Sequence, residues 1–428
     1  MLDVLLINLP LSNNAKDAFK MGNSMPPLGL LYIAGYLKLK GISCTLIDFS
    51  VKNIDKVSFT KLLIQNSPKI IGISTYNETW FSQKIISNLI RQILPNVPIV
   101  AGGAFATFCY NDMFKNDIVD YVIRGEGEIA FYQLYSHLFE GNVDVNSISG
   151  LVYRYNNHLV INKMHRIIDL DSLPFPDRDL INLNDYVLGY TISTARGCPG
   201  ECIFCSSKAF WGKQIHFRSA DNIVEEVLYI HSKYNQNIIY FTDDTFTLHK
   251  QRAIEFCKKI KQHDINFTFG FESRADVLDE DFIKELYSAG FKKIQIGLES
   301  ADNTILKKLK KKVTIEQIEN GIKLAAKYNM HISVSYIIGH AFDTKETIYK
   351  TLKFVEYIKE KYNTYTMVSV NTPFPGTEQY NKAKELGITI YSDDWDNYRL
   401  NYPIIGTNNL SRTELKQCFE YAQQVNNK

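Results

Sequence analysis

Short apolar runs alternate with amphipathic stretches along nearly the whole chain, and this alternation restricts the fold most. Within residues 1–140, DVLLINLP (3–10), SCTLIDFS, KIIGIST, VPIVAGGAF and DYVIRGEGE read as strands. Helical patterns near 26–41, 55–66, 79–93 and 129–139 separate them; the first opens on prolines and ends at Gly41. Strands joined through helices run parallel with right-handed crossovers, which predicts a Rossmann-like, doubly wound α/β domain over 1–141. Ligands of such sheets bind beyond the C-terminal strand ends.

Residues 142–187 break the rhythm. GLVYRYNNHLVINK reads as a hairpin turning at Asn156-Asn157, and the proline-rich LPFPDRDL reads as a linker. From Tyr190 a second alternation begins: YTISTARG, IIYFTDDTF, FTFGFESRAD, KIQIGLES, HISVSYIIG and TYTMVSVNTPFPG. Helical stretches at 219–234, 250–263, 279–289, 314–329 and 344–361 intervene. Strand–helix units in this number predict a partial (β/α)6 barrel over 188–389, with its chemistry on the loops after the strands. Residues 390–428 form a short tail with one helix expected at 411–427.

Composition narrows the partners. The chain has 48 basic and 46 acidic residues, net +2, which calls for neither a nucleic-acid nor a membrane partner. The one dense basic run, Lys307–Lys312, reads as a solvated helix end. No apolar stretch is long enough to span a bilayer, and MLDVLLINLPLSNN reads as a strand, not a signal peptide. Seven cysteines, three of them clustered, fit a reducing cytoplasm better than a disulfide framework. Cys44, Cys109, Cys257 and Cys418 read as buried thiols.

The clustered three, Cys198, Cys202 and Cys205 in ARGCPGECIFCS, are spaced C-x3-C-x2-C. No fourth cysteine or histidine lies close enough to complete a local ligand set; the nearest histidine, His216, falls in another predicted element. A structural zinc would want four protein ligands. Three thiolates on a [4Fe–4S] cube leave one iron open, and an open position is the mark of a catalytic metal site.

CPGECIFC, including the aromatic Phe204, resembles the signature of the radical S-adenosylmethionine (SAM) superfamily. The resemblance implies that SAM chelates the open iron and is reductively cleaved to a 5′-deoxyadenosyl radical, with a flavodoxin or ferredoxin as electron donor. It also implies SAM-binding roles for several residues. In TDDTF, Asp243 or Asp244 would receive the SAM amino group; helix capping is the rival use. In FESRAD, Glu272 and Arg274 are candidates, Arg274 for the SAM carboxylate, and an ion pair between the two is the alternative. Glu299 in GLES would meet the ribose, and Ile337 and Gly339 in SYIIG the adenine. These segments follow the cysteines in the family's order over about residues 188–380.

The first domain resembles the cobalamin-binding domain that precedes many radical SAM domains, through PPLGLLYIAGYL, the AGG turn at 101–103 and GEGE at 125–128. Its strand ends then offer Asn8, Pro10, Thr75, Tyr76, Asn77, Trp80, Gly102, Gly103, Ala104, Phe105, Gly125, Glu126 and Gly127 as cobalamin contacts. The Asp-x-His-x-x-Gly motif is absent, and His137 is the only histidine in the first 150 residues. Base-off binding is therefore implied, with Tyr76 or Trp80 available to cover the cobalt's lower face, or else simply packing. Together the two resemblances imply a cobalamin-dependent radical SAM enzyme. Its expected reaction is C-methylation of an unactivated carbon in a small molecule or peptide. Cyclisation, rearrangement, oxidation without methyl transfer, a cobalamin-free first domain and a non-catalytic cofactor-binding protein are the alternatives. A tRNA methylthiotransferase fits poorly, because only Cys44 and Cys109 precede residue 198.

Overall fold

The structure, a computed structural model, describes residues 2–11 and 25–427 and divides into two units, Met1–Gly189 and Tyr190–Lys428. The last residues of the expected N-terminal strand segment, Ser12–Asn14, lie outside the described residues.

In the first unit β1 (Val4–Asn8), α1 (Leu28–Leu39), β2 (Cys44–Asp48), α2 (Lys56–Asn66), β3 (Ile70–Ser74), α3 (Trp80–Ile93), β4 (Ile99–Gly102), α4 (Ala104–Lys115), β5 (Tyr121–Ile123) and α5 (Glu128–Phe139) alternate. β6 (Leu151–Tyr155) and β7 (His158–Ile161) follow. The strand order is β2-β1-β3-β4-β5-β6-β7, parallel through β5 and antiparallel for the last two. Successive strand side chains face opposite ways. Val4 and Leu6 accordingly join Leu31 and Ala34 of α1 and Phe131 and Leu134 of α5 in one core, while Leu5 and Ile7 are buried on the other face. The order reverses between β1 and β3, which opens a crevice at their C-terminal ends.

Helix α4 was not expected. AFATFCYNDMFK carries four aromatic residues and an Asn-Asp pair, which are weak helix formers, and Gly103 before it has no capping side chain. Burial of Phe105, Ala106, Met113 and Phe114 decides its conformation instead. Gly103 takes φ +95, and a Cβ there would lie 2.8 Å from the Thr75 carbonyl oxygen. Gly103→Ala should therefore cost about 1–3 kcal/mol in urea unfolding, because both the left-handed backbone and the close approach resist a side chain. A midpoint equal to that of the parent would show that the turn relaxes freely.

The hairpin turns at Asn156 and Asn157, both left-handed (φ 48° and 63°), as a two-residue turn requires. It extends the first sheet. The proline-rich stretch is no free linker: Asp177 N–H donates to Leu31 O at 3.0 Å, and Lys38 Nζ lies 3.0 Å from Asp177 Oδ1. Prolines leave few backbone donors to build local structure, so the segment is held in place by α1.

The second unit opens with β8 (Thr191–Ile192), β9 (Ala195–Arg196), α6 (Ser207–Trp211), β10 (His216–Phe217), α7 (Ala220–Tyr234), β11 (Ile238–Phe241), α8 (Lys250–Ile260), β12 (Thr268–Ser273) and α9 (Glu280–Ser288). It continues through β13 (Phe291–Glu299), α10 (Asn303–Lys308), α11 (Ile315–Lys327), β14 (His331–Ile338), α12 (Lys345–Tyr362), β15 (Tyr365–Val370), α13 (Glu378–Asn381), β16 (Ile388–Ile390), β17 (Ile405–Thr407) and α14 (Arg412–Asn427). Its main sheet runs β15-β14-β13-β12-β11-β8, all parallel, the expected partial barrel. Ser219 and Thr344 cap α7 and α12, which stabilises their first turns. The phenylalanines pack the barrel core: Phe241 lies 4.7 Å from Phe246 and 5.6 Å from Phe291, centroid to centroid. The tail is part of this core, with Leu415, Phe419 and Ala422 of α14 buried in it. Asn426 Nδ2 donates to Thr366 O at 2.7 Å. The small elements α6, α10 and β16–β17 are too short for periodicity to reveal.

Candidate functional site

The cysteine loop leaves β9 through Gly197, at φ +113. Cys198 and Cys202 are half-buried and Cys205 is exposed. Burial pushes the half-buried Cys198 and Cys202 thiols up, so metal binding must displace firmly held protons. Two amides point at sulfur: Gly200 N lies 3.4 Å from Cys198 Sγ, and Ser207 N lies 3.4 Å from Cys205 Sγ. A Cβ on Gly200 would sit 3.2 Å from Cys198 Sγ and 3.9 Å from Cys202 Sγ, so only glycine leaves this concavity open. Among the described residues no three histidine, cysteine or acidic side chains converge as a single-ion site would need. An iron–sulfur cube takes each thiolate on a different iron and needs no such convergence. Soft thiolates, a concave turn and amide donors are a donor set that fits a [4Fe–4S] cluster.

Several segments grip the loop. Ile203 N–H donates to Leu309 O (3.1 Å), Gln379 N–H donates to Ile203 O (2.9 Å), and Lys312 Nζ pairs with Glu201 (2.7 Å). The basic run is thus not a wholly solvated helix end: α10 stops at Lys308, and Lys311 is buried at 9% exposure. Long-range contacts with the cysteine loop override what the charge run alone suggests.

The two aspartates after β11 part company. Asp243 is 3% exposed and accepts from Thr194 N (2.6 Å), Ala195 N (3.0 Å) and Thr194 Oγ1. Arg252 Nη2 stands 3.9 Å from it and also donates to Thr194 Oγ1 at 3.0 Å. Asp243 therefore anchors the strand leading into the cysteine loop, and its oxygens are occupied. Burial pushes its pKa up, opposed by the Arg252 guanidinium and the Thr194 hydrogen bonds. Asp244 is exposed and accepts from Ser207 Oγ, just past Cys205.

Glu272 and Arg274 do not pair. Arg274 holds Asp276 with two bonds (2.9 and 2.8 Å) and donates to the Lys311 and Lys312 carbonyls (2.9 and 3.3 Å), so it also ties the end of β12 to the basic turn. Glu272 is pushed up to about 7 by burial and by the charges of Asp244 and Asp243. The raised value makes its ionised form unfavourable in the fold. The penalty is absent below the ordinary range near 4.5, grows as pH rises, and is complete above about 7. Glu272→Gln should thus stabilise the metal-free chain increasingly between pH 5 and 8, by at most ~3 kcal/mol. A gain independent of pH in urea unfolding would contradict this.

Glu299 ends β13 in the left-handed region (φ 60°), and its carboxylate pairs with Lys311 Nζ at 2.7 Å. Gly339 takes φ +79 beyond Ile337, with Leu415 against it. Phe204 lies 5.6 Å from the His340 ring. His340 is fully buried, and that burial holds its imidazole down at about 3, so the ring is neutral and packs as a plate behind Phe204. Sequence reasoning missed Lys311, His340 and Ser207, since none stands out from its local context.

In the first unit Asn8–Pro10, Thr75–Asn77 and Gly102–Phe105 follow β1, β3 and β4, which are neighbours in the sheet, and Gly125–Gly127 follow β5. Several expected contacts are turned inward. Trp80 is 3% exposed and packs on Phe105, centroids 4.9 Å apart, so it does not stand at the crevice mouth. Thr75 Oγ1 is engaged by Gln83 (2.7 Å), Asn8 Nδ2 by Asp48 (2.9 Å), and Glu126 by Arg166 (2.9 Å) and Ile167 N (2.8 Å). Helix α3 begins at Trp80 and turns its indole into the α4 packing, a helix the sequence did not reveal. The Pro10 carbonyl takes a bond from Ser82 Oγ at 3.1 Å. Tyr76, in contrast, is 50% exposed, and the buried Asn77 Nδ2 has no hydrogen-bond partner. An orphaned amide donor just past β3, the strand next to the one that ends at Gly102, fits a large ligand rich in carbonyl and phosphate oxygens, as cobalamin is. His137 is on α5, with Nδ1 2.7 Å from Val143 O.

Residues 192–355 match the radical SAM superfamily and residues 17–135 the B12 binding domain. An uncharacterized methyltransferase of Pyrococcus horikoshii is 30% identical over 428 residues, covering 98% of this chain and 91% of the relative. The anaerobic magnesium-protoporphyrin IX monomethyl ester cyclase of Rubrivivax gelatinosus is 25% identical, covering 92% and 72%. The solved structure of the radical SAM methyltransferase TsrM from Kitasatospora setae superposes with a TM-score of 0.75 at 17% identity, covering 98% of this chain and 85% of that one. That likeness shows the same fold. With the cysteine loop at the mouth of a parallel partial barrel and a doubly wound unit before it, the chain belongs to the cobalamin-dependent radical SAM enzymes, the family whose cofactors are a [4Fe–4S] cluster, SAM and cobalamin.

Proposed function

We propose that this enzyme methylates an unactivated carbon of a small molecule or peptide, with a flavodoxin or ferredoxin as electron donor. The observation that carries this reading is the division of labour at the barrel mouth. Asp243 locks the loop, while Asp244 reaches Ser207 just past Cys205, and Glu272 carries a carboxyl within the field of both aspartates. When bound, the cluster and SAM supply one-electron hydrogen abstraction, and cobalamin supplies the transferable methyl group.

The protein's residues divide as follows. Cys198, Cys202 and Cys205 hold the cluster. Asp244 takes the SAM ammonium in a charge-assisted hydrogen bond, and Glu272 adds a second carboxyl near it. Glu299 has one carboxylate oxygen on Lys311 and offers the ribose only the other; Phe204, Ile337 and Gly339 flank the adenine. Arg274 positions the basic turn, which leaves it little capacity for the SAM carboxylate. In the first unit the Tyr76 ring and the Asn77 amide are the side chains that meet cobalamin, along the Gly102–Gly103 and Gly125–Gly127 backbones.

Methyl transfer consumes two SAM molecules for different ends. The anaerobically reconstituted, reduced protein, given hydroxocobalamin and SAM, should form both 5′-deoxyadenosine and S-adenosylhomocysteine. The cyclase of Rubrivivax gelatinosus favours a second reading, ring formation without methyl transfer. Deoxyadenosine alone, with cobalamin bound, would support that reading and overturn methylation.

A further inference from the structure

Lys311 is the buried member of an otherwise exposed basic turn. Lys310 and Lys312 on either side both take left-handed backbone (φ 57° and 56°). The turn grips the cysteine loop on both sides of Cys202, through Leu309 O on Ile203 N (3.1 Å) and Lys312 Nζ on Glu201 (2.7 Å). Inside it, the Lys311 ammonium lies 2.7 Å from Glu299 Oε1. Gly297 makes the room: a Cβ there would fall 2.5 Å from that oxygen and 2.8 Å from Lys311 Nζ. Glu299 itself is a non-glycine residue in left-handed backbone, where the register between β13 and β14 shifts.

A strained acid, a missing side chain and a double left-handed turn thus all serve to bury one ammonium. Stability does not explain them, since a buried ion pair is on balance neutral or worse against apolar packing. Its location does. Lys311 stands between Leu309 and Lys312, the two residues that hold Ile203 and Glu201 on either side of Cys202.

We infer that Lys311, held in place by Glu299, sets the reduction potential of the cluster. A cluster on three thiolates is anionic, and its reduction adds negative charge, so a fixed cation nearby favours the reduced form. This rests on the assignment of Cys198, Cys202 and Cys205 as cluster ligands.

The test is an EPR-monitored potentiometric titration of the reconstituted full-length protein without SAM, using dithionite and mediators, alongside iron and sulfide analysis. Lys311→Met should lower the potential and Glu299→Gln should raise it. Each shift should reach about a tenfold change in the reduced-to-oxidised ratio at a given potential, or about 59 mV for one electron. Lys311→Arg should stay near the parent. A purely structural role predicts no such opposition of sign. Parental potentials in both neutralising variants, or shifts of the same sign, would overturn the inference. Should Lys311→Met fail to hold iron, Glu299→Gln alone decides, and an unchanged or lowered potential there overturns it. A parent protein that takes up no cluster would overturn the ligand assignment itself.

Discussion

Replacing Cys198, Cys202 and Cys205 together with alanine abolishes iron–sulfur uptake and reduces SAM cleavage to background. Each thiolate would bind a separate iron, so the triple replacement removes every proposed ligand. The fold should survive, because Cys205 is exposed and the other two are only half-buried. Near-native circular dichroism with no iron and no 5′-deoxyadenosine is the expected result. Cys257→Ala and Cys418→Ala are the controls, since these thiols are buried in the barrel core, and they should leave iron content at the parent level. Deoxyadenosine formation by the triple variant would sink the cluster assignment.

The adjacent aspartates should fail in different ways. Asp243→Ala removes the acceptor of Thr194 N–H, Ala195 N–H and the Thr194 hydroxyl, and takes away the carboxylate 3.9 Å from Arg252, which is buried at 6% exposure. Breaking a buried pair from one side costs about 3–5 kcal/mol. Urea unfolding should show that loss, and cluster reconstitution should fall with it, since the segment entering the cysteine loop is unpinned. Asp244→Ala should change stability by no more than about 0.5 kcal/mol, as for other exposed positions. Loss of a charge-assisted hydrogen bond worth ~1.5–3 kcal/mol should weaken SAM binding by roughly ten- to a hundredfold, with iron content unchanged. Equal SAM affinity in Asp244→Ala, or parental stability in Asp243→Ala, would refute this division.

Much of the architecture was legible because it depends on local period. Alternating apolar runs placed the five parallel strands of the first sheet and the six of the barrel. The Asn156-Asn157 hairpin was legible because two left-handed residues identify a hairpin turn. Helix α4 was hidden, because its weak formers are held helical by burial of Phe105 and Phe114 and not by propensity. Trp80 was legible as an aromatic near a strand end, but whether it faces ligand or core depends on how α3 and α4 pack.

By itself the sequence determined the order of chemistry along the chain: thiolates at cluster spacing, then acidic, polar and glycine-rich strand ends. These are properties of neighbouring residues. Only the tertiary structure decided which carboxylate is occupied and which lysine is buried. Asp243 is anchored by Thr194, 49 residues away, and Lys312 reaches Glu201 across 111 residues. Charge and hydrogen-bonding capacity belong to a residue, but their availability depends on the partners the fold supplies, because a buried polar group must be satisfied wherever its partner lies in the sequence.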